Sequence, residues 1–231
     1  MRFFFITVIL CAACLVSLAE APPLAAAPAN DEAGDGTAGI YYLDTKERVA
    51  GIVIKGPIDK AVARHTKHLI NILRPDVDEL TIYLDSPGGD VLAAMEIGEE
   101  VRNQWAFTAM DDDGECLGAC VLVLAAGARR APAADRVGLR RLSLDAKEPR
   151  DRAGQKNAAI EKKVQAYLAR MGMPKKLFQD MMQQPSDKAL LLNAARLKTL
   201  GLEGIDPAFE QWQRANNSER PPSSERSPSS D

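Results

Sequence analysis

The chain is predicted to be an α/β protein with a mainly parallel sheet, assembled from repeated βαβ and β-β-α units. Three observations lead there. β-branched runs alternate with segments of helical apolar spacing, the composition is globular at 46% apolar and 26% charged, and a glycine-rich turn, Ser86-Pro87-Gly88-Gly89, joins a strand to a helix. Arg48–Lys55 (RVAGIVIK) is β-branched and bounded by Gly56-Pro57, hence a strand. Ile58–Leu73 carries Ile58, Val62, Leu69, Ile72 and Leu73 at helical spacing, and Pro75 ends it. Glu79–Leu84 is a second strand, and Asp90 is a suitable N-cap for a helix from Val91 to about Asn103. Ala106–Met110 is a third strand. The apolar stretch Ala119–Ala126 reads as a buried helix, and Arg136–Arg141 as a short strand. Helices are expected at Gln155–Met171 and Pro174–Gln183; Leu190–Leu192 and a last helix, Asn193–Leu200, come next, stopped by Gly201.

Both ends look separable from this domain. Arg2 precedes an apolar run, Phe3–Leu18, too short for the roughly 20 residues of a bilayer span, and small residues at Ala19 or Ala21 suit cleavage. Residues 1–21 are therefore expected to be a signal peptide, with an uncleaved anchor as the rival. The mature protein would be periplasmic or secreted, meeting a membrane only transiently during export. Residues 22–38 form a Pro/Ala/Gly lead-in, 39–213 the folded domain, and 214–231 a Ser/Pro-rich tail expected to be disordered. Lys+Arg 29 against Asp+Glu 32 gives a net charge of -3, which argues against nucleic acid as a partner. At 5% aromatic, the chain offers no stacking platform for bases or sugars.

The glycine pair Gly88-Gly89 bares backbone N–H groups at the positive end of a helix dipole, suited to a developing oxyanion; the plainer reading is a tight turn. Thirty residues on, Cys116-Leu117-Gly118-Ala119-Cys120 opens the apolar helix. The order LDSPGGDV, CLGACVLVLAAGARR, RVGLRR and LLLNAARLKTLGLEGID, spanning about residues 48–206, resembles the Clp protease proteolytic subunit and signal peptide peptidase group of the Clp-crotonase fold, and within it a set of exported Clp-like proteins. The resemblance implies an oxyanion hole made by Gly88 or Gly89 with Ala119. It puts the family's nucleophilic serine on Gly118 and its histidine on Arg140, with Arg141 the alternative; the orienting carboxylate falls near Pro185–Asp187, with Asp187 a weak match. Glycine has no side-chain nucleophile, and a guanidinium accepts no proton. The resemblance therefore carries no catalytic residue onto this chain. The expected protein is a non-hydrolytic peptide- or protein-binding relative, the alternative being a serine-type peptidase with a non-standard nucleophile. Acyl-CoA chemistry, the crotonase branch, does not suit an exported protein.

Other side chains offer substitutes of uneven merit. Cys116 and Cys120, four apart at a helix start, fit a disulfide in an oxidising compartment, with buried thiols and a reactive thiolate as the other readings. Ser86 precedes a proline in the turn, and Ser143 lies beyond the arginines; neither stands where the family places its nucleophile. His65 and His68 read as helix-face residues, and neither a metal nor a cofactor is expected. Arg129, Arg130, Arg136, Arg140 and Arg141 are clustered; Arg136, Arg140 and Arg141 are the anion-binding candidates, against a solvated arginine face. Asp111-Asp112-Asp113-Gly114-Glu115 reads as an acidic surface loop rather than a cation site. Because members of this fold stack into rings or trimers, a homo-oligomer is expected, with Ile160, Val164, Leu168 and Met171 either serving an interface or covering the sheet.

Overall fold

A computed structural model describes residues 36–142 and 150–218; the expected signal peptide, nearly all of the lead-in, Ser143 and the end of the tail lie outside the described residues. The chain begins with a hairpin, β1 (Thr37–Asp44) against β2 (Val49–Lys55), followed by α1 (Lys60–Leu73), β3 (Glu79–Asp85), α2 (Val91–Asn103) and β4 (Phe107–Met110). Then come β5 (Cys116–Leu117), α3 (Cys120–Ala126), β6 (Arg129–Ala131), β7 (Val137–Leu139), α4 (Arg150–Arg170), α5 (Lys175–Gln183), β8 (Leu190–Leu191), α6 (Ala194–Thr199), β9 (Gly204–Ile205) and α7 (Pro207–Ser218). The main sheet has the order β1-β2-β3-β4-β6-β9 and a smaller one the order β5-β7-β8. β2, β3, β4 and β6 run parallel, so the expected parallel sheet forms the centre, while β1 and β9 pair antiparallel at the two edges.

Strand alternation decides which side chains enter the core. Ile52 and Ile54 of β2 and Ile82 and Leu84 of β3 are fully buried, whereas Val53 and Tyr83 point to the opposite, half-buried face. Every residue of α3 is buried, as its all-round apolar sequence requires. Val164, Tyr167 and Leu168 of α4 and Met171 just after it enter the chain's own core, and Ile160 packs partly buried against it, so this stripe covers the core.

Several boundaries differ from those the sequence predicts: α4 starts at Arg150 rather than Gln155, and the strand expected at Arg136–Arg141 shortens to Val137–Leu139, leaving Arg140 and Arg141 beyond its end. α1 starts at Lys60, because Asp59 caps it, accepting from the Val62 amide at 2.8 Å, and Ile58 is instead held in a parallel bridge to Gly89. The buried stripe of α1 uses Ile70, while Ile72 is 48% exposed: 72 lies about 160° round the helix from 70, beyond the edge of the stripe opposite Ala63 and Ile70. At the C-terminal end α7 continues through Ser218, five residues into the stretch expected to be tail.

α2 and α4 approach closely at Gly98. A Cβ there would lie 1.7 Å from the Tyr167 hydroxyl, which is buried and donates to the Leu122 carbonyl of α3 at 2.8 Å. Burial pushes the Tyr167 phenol well above its ordinary range, so it stays a neutral donor. Gly98→Ala is expected to destabilise the fold by about 1–3 kcal/mol through overpacking. Adding Tyr167→Phe should recover part of that loss, because the clashing oxygen is gone. Urea melts of the four species of this double-mutant cycle check the coupling; strict additivity would contradict it.

Candidate functional site

The cleft lies where the two sheets meet the turn after β3. Ser86 is buried at that turn; its hydroxyl accepts from the Gly88 amide at 3.1 Å, an ST-type turn that fixes the backbone path into the glycine pair. Gly88 (φ +99°) sits so close to the β5–α3 turn that a Cβ would lie 2.6 Å from the Leu117 carbonyl and 3.0 Å from the Ala119 nitrogen, so only glycine fits. The neighbouring bridge works through Ile58, whose amide donates to the Gly88 carbonyl (2.8 Å) and whose carbonyl accepts from Asp90 (2.7 Å). Such pairing turns the Gly89 N–H away from Ile58. Among the described residues neither the Gly89 nor the Ala119 amide has an acceptor.

The facing wall comes from β7. Arg140 follows Leu139 directly, and a Cβ on Gly118 would meet nothing nearer than the Arg140 Cβ, at 3.6 Å. Positions 118 and 140, paired by the resemblance, thus stand face to face. Gly118 has φ +54°, the left-handed turn that presents a side chain at the mouth of a strand-to-helix passage, and here presents none. Pro57, Gly88, Gly89, Gly118, Ala119 and Arg140 border a cleft of about 430 Å³, extended by Arg141, Leu142 and Ser186, and among the described residues no carboxylate lines it.

Cys116 and Cys120 form a disulfide, with Cα atoms 5.3 Å apart and both residues fully buried. The expected pairing is present, but its setting differs: Cys116 belongs to β5 and Cys120 opens α3, so the bond staples the turn carrying Gly118 and Ala119 rather than one turn of helix. Neither sulfur is a free thiol. Ser86 is likewise tied into its turn.

The arginine cluster divides. Arg129 pairs with Glu79 at 3.3 Å and lies over the Phe107 ring, Arg130 is buried against Asp206, and Arg136 donates to the Asp112 carbonyl. Of the three anion-binding candidates only Arg140 and Arg141 line the cleft. Arg129 and Arg130 are successive residues of β6 and face opposite ways, and Arg136 stands at the other end of β7 from Arg140 and Arg141, so closeness in sequence does not bring all five side chains together. Arg141 is exposed and donates from Nε to the Met182 carbonyl at 3.1 Å. Asp187 is exposed and outside the cleft, next to Ser186, which borders it. His65 and His68 are on α1 and away from the cleft, and among the described residues no group of three metal-binding side chains converges. In the acidic loop Asp111 pairs with Lys55 at 2.7 Å, which holds its carboxyl below the usual range.

The sequence model of the Clp protease family matches residues 38–189, from the first strand through the whole cleft to the turn after α5. The chain belongs to the Clp protease family. A search of curated proteins finds no match to this chain. Within this Clp protease-like fold, two contributors to the cleft escape a reading of the sequence: Ile58, which braces Gly89, and Ser86, whose part is to clamp the turn. A serine two residues before a glycine is the available signal for the second.

Proposed function

We propose that this is an exported Clp protease-like protein that binds peptide segments in the cleft without hydrolysing them. The observation that carries the reading is Gly118, at positive φ with open space where a nucleophile would project, opposite an arginine where a proton acceptor would stand. The free amides of Gly89 and Ala119 keep the polarity that suits a carbonyl or anionic oxygen. Without a nucleophile and base that polarity supports binding; loss of such a pair costs on the order of a million-fold in turnover. Export is supported by the Phe3–Leu18 run and by a disulfide, which persists in oxidising compartments. The reading keeps a peptide or protein ligand and a homo-oligomeric assembly as its partners and needs no cofactor.

The test is the purified chain with a fluorophosphonate probe and an unstructured fluorescent peptide substrate. No labelled residue and no turnover above buffer are expected. Peptide hydrolysis that disappears in Ser86→Ala, or in Cys120→Ala, would replace this reading with a peptidase using a non-standard nucleophile.

A further inference from the structure

We propose that the cleft recognises the free C-terminal carboxylate of a peptide, held between the Gly89 and Ala119 amides on one side and the Arg140 guanidinium on the other. The inference rests on the peptide-binding reading and names its ligand class.

Three groups in the cleft want an acceptor. The Gly89 and Ala119 amides have none among the described residues. Arg140 Nε is buried and has no hydrogen-bond partner among the described residues. Buried donors are almost always satisfied, and one on a permanently charged group is the most costly to leave open. The residues that carry them border the same cleft, and Arg140 and Arg141 give it positive charge with no carboxylate to offset it among the described residues.

The shape of this donor set selects among anions. In the proposed complex the two amides take one oxygen and the guanidinium fork the second, which is the two-oxygen planar pattern of a carboxylate. The other walls are Pro57, Pro87 and Leu142, apolar surface that suits the side chain and backbone preceding the carboxylate rather than the hydration shell of a phosphate dianion.

The position of Arg140 selects a chain end. Its Cβ is the nearest atom to the space beside Gly118, so its root stands directly next to the turn carrying the Ala119 amide. A segment whose carbonyl oxygen rests on the two amides presents its next group to Arg140. If the chain continues, that group is a neutral peptide N–H, a donor set against a donor. If the chain ends, it is the second carboxylate oxygen. An arginine here therefore favours what a peptidase would release as its acyl product. An acidic side chain offers the same two oxygens, and the experiment separates the two sources.

Three pools of N-acetylated octapeptides of matched random sequence, lacking Asp and Glu except where stated, are passed over the immobilised full chain: free acids, C-terminal amides, and amides with one internal Glu. Retained peptides are counted by mass spectrometry. The free acids are expected to be retained about tenfold or more over either amide pool, the scale of a charge-assisted, two-oxygen contact. Arg140→Met, which keeps the aliphatic stem, should bring them down to the level of the amides. Arg140→Lys, which keeps the charge but loses the fork, should fall between. Equal retention of acids and amides overturns the carboxylate inference and leaves peptide binding standing. Internal-Glu amides matching the free acids overturn the chain-end assignment. Retention of none of the pools overturns the peptide-binding reading itself.

Discussion

The Gly118→Ser, Arg140→His double variant is expected to acquire covalent labelling by a fluorophosphonate probe at the introduced serine, orders of magnitude above the unreactive parent. The backbone is already arranged for it. Residue 118 has φ +54°, inside the small left-handed region, where an L side chain costs about 1–2 kcal/mol but is sterically allowed. A Cβ meets nothing nearer than 3.6 Å, and that neighbour belongs to the residue being changed to histidine. The Ala119 amide follows the new hydroxyl directly, and among the described residues the Gly89 amide has no acceptor, so the donors for an oxyanion precede the chemistry. Gly118→Ser alone should label weakly or not at all, because an unassisted serine hydroxyl is a poor nucleophile. Turnover by the double variant should stay well below that of a complete triad. Asp187 is exposed and away from the cleft, and a histidine without its orienting carboxylate loses about 10⁴-fold. Intact mass and peptide mapping of the labelled protein check the result. A folded double variant that stays unlabelled would mean that positions 118 and 140 are not a nucleophile and base pair.

How much of this is legible in the residues depends on where each signal lives. The four segments with strong periodicity, β2, α1, β3 and α2, fall within one or two residues of their predicted bounds, and so does the wholly apolar α3. Two-residue strands such as β5, β8 and β9 have no period to read; they exist because neighbours supply their ladder partners. β1 goes unpredicted because its Gly39 and paired Tyr41-Tyr42 break the alternation that marks a half-buried strand, and a bulge between Ile40 and Tyr42 breaks it in the structure too. The cleft's glycines are legible because tight turns demand them. The arginines are not, since charge clustered along a strand says nothing about which side each member takes. Arg129 and Arg130 show this: adjacent in β6, one lies on the open face of the sheet over Phe107 and the other is buried in the ion pair with Asp206.

That buried ion pair carries the largest stability effect. Asp206, 3% exposed, accepts from Arg102 at 2.9 Å and lies 3.7 Å from Arg130, while its Oδ1 caps the start of α7 through the Ala208 amide at 2.8 Å. Arg102 also donates to the Ala126 carbonyl of α3 and the Met171 carbonyl after α4, so one carboxylate organises the point where β6, α2, α3, α4 and α7 converge. Burial alone would raise the Asp206 carboxyl, but Arg102 and the Ala208 amide outweigh it and hold it below its ordinary value. Burial brings Arg130 down to about 10, still protonated at neutral pH. Removing the carboxylate leaves two arginines facing each other with little water. Asp206→Ala is therefore expected to lose about 3–5 kcal/mol, the usual scale for breaking a buried pair from one side, together with about 1 kcal/mol for the cap. The sign of the pH dependence comes from the depressed carboxyl. Its contribution is complete above the unfolded value near 3.8 and is lost as pH falls through the lower folded value. Urea melts from pH 7 down to pH 3 should show the parent converging on Asp206→Asn, which keeps the volume and part of the cap but cannot change charge. A constant gap between the two across that range would show that the stabilisation comes from packing and not from the ionised carboxylate.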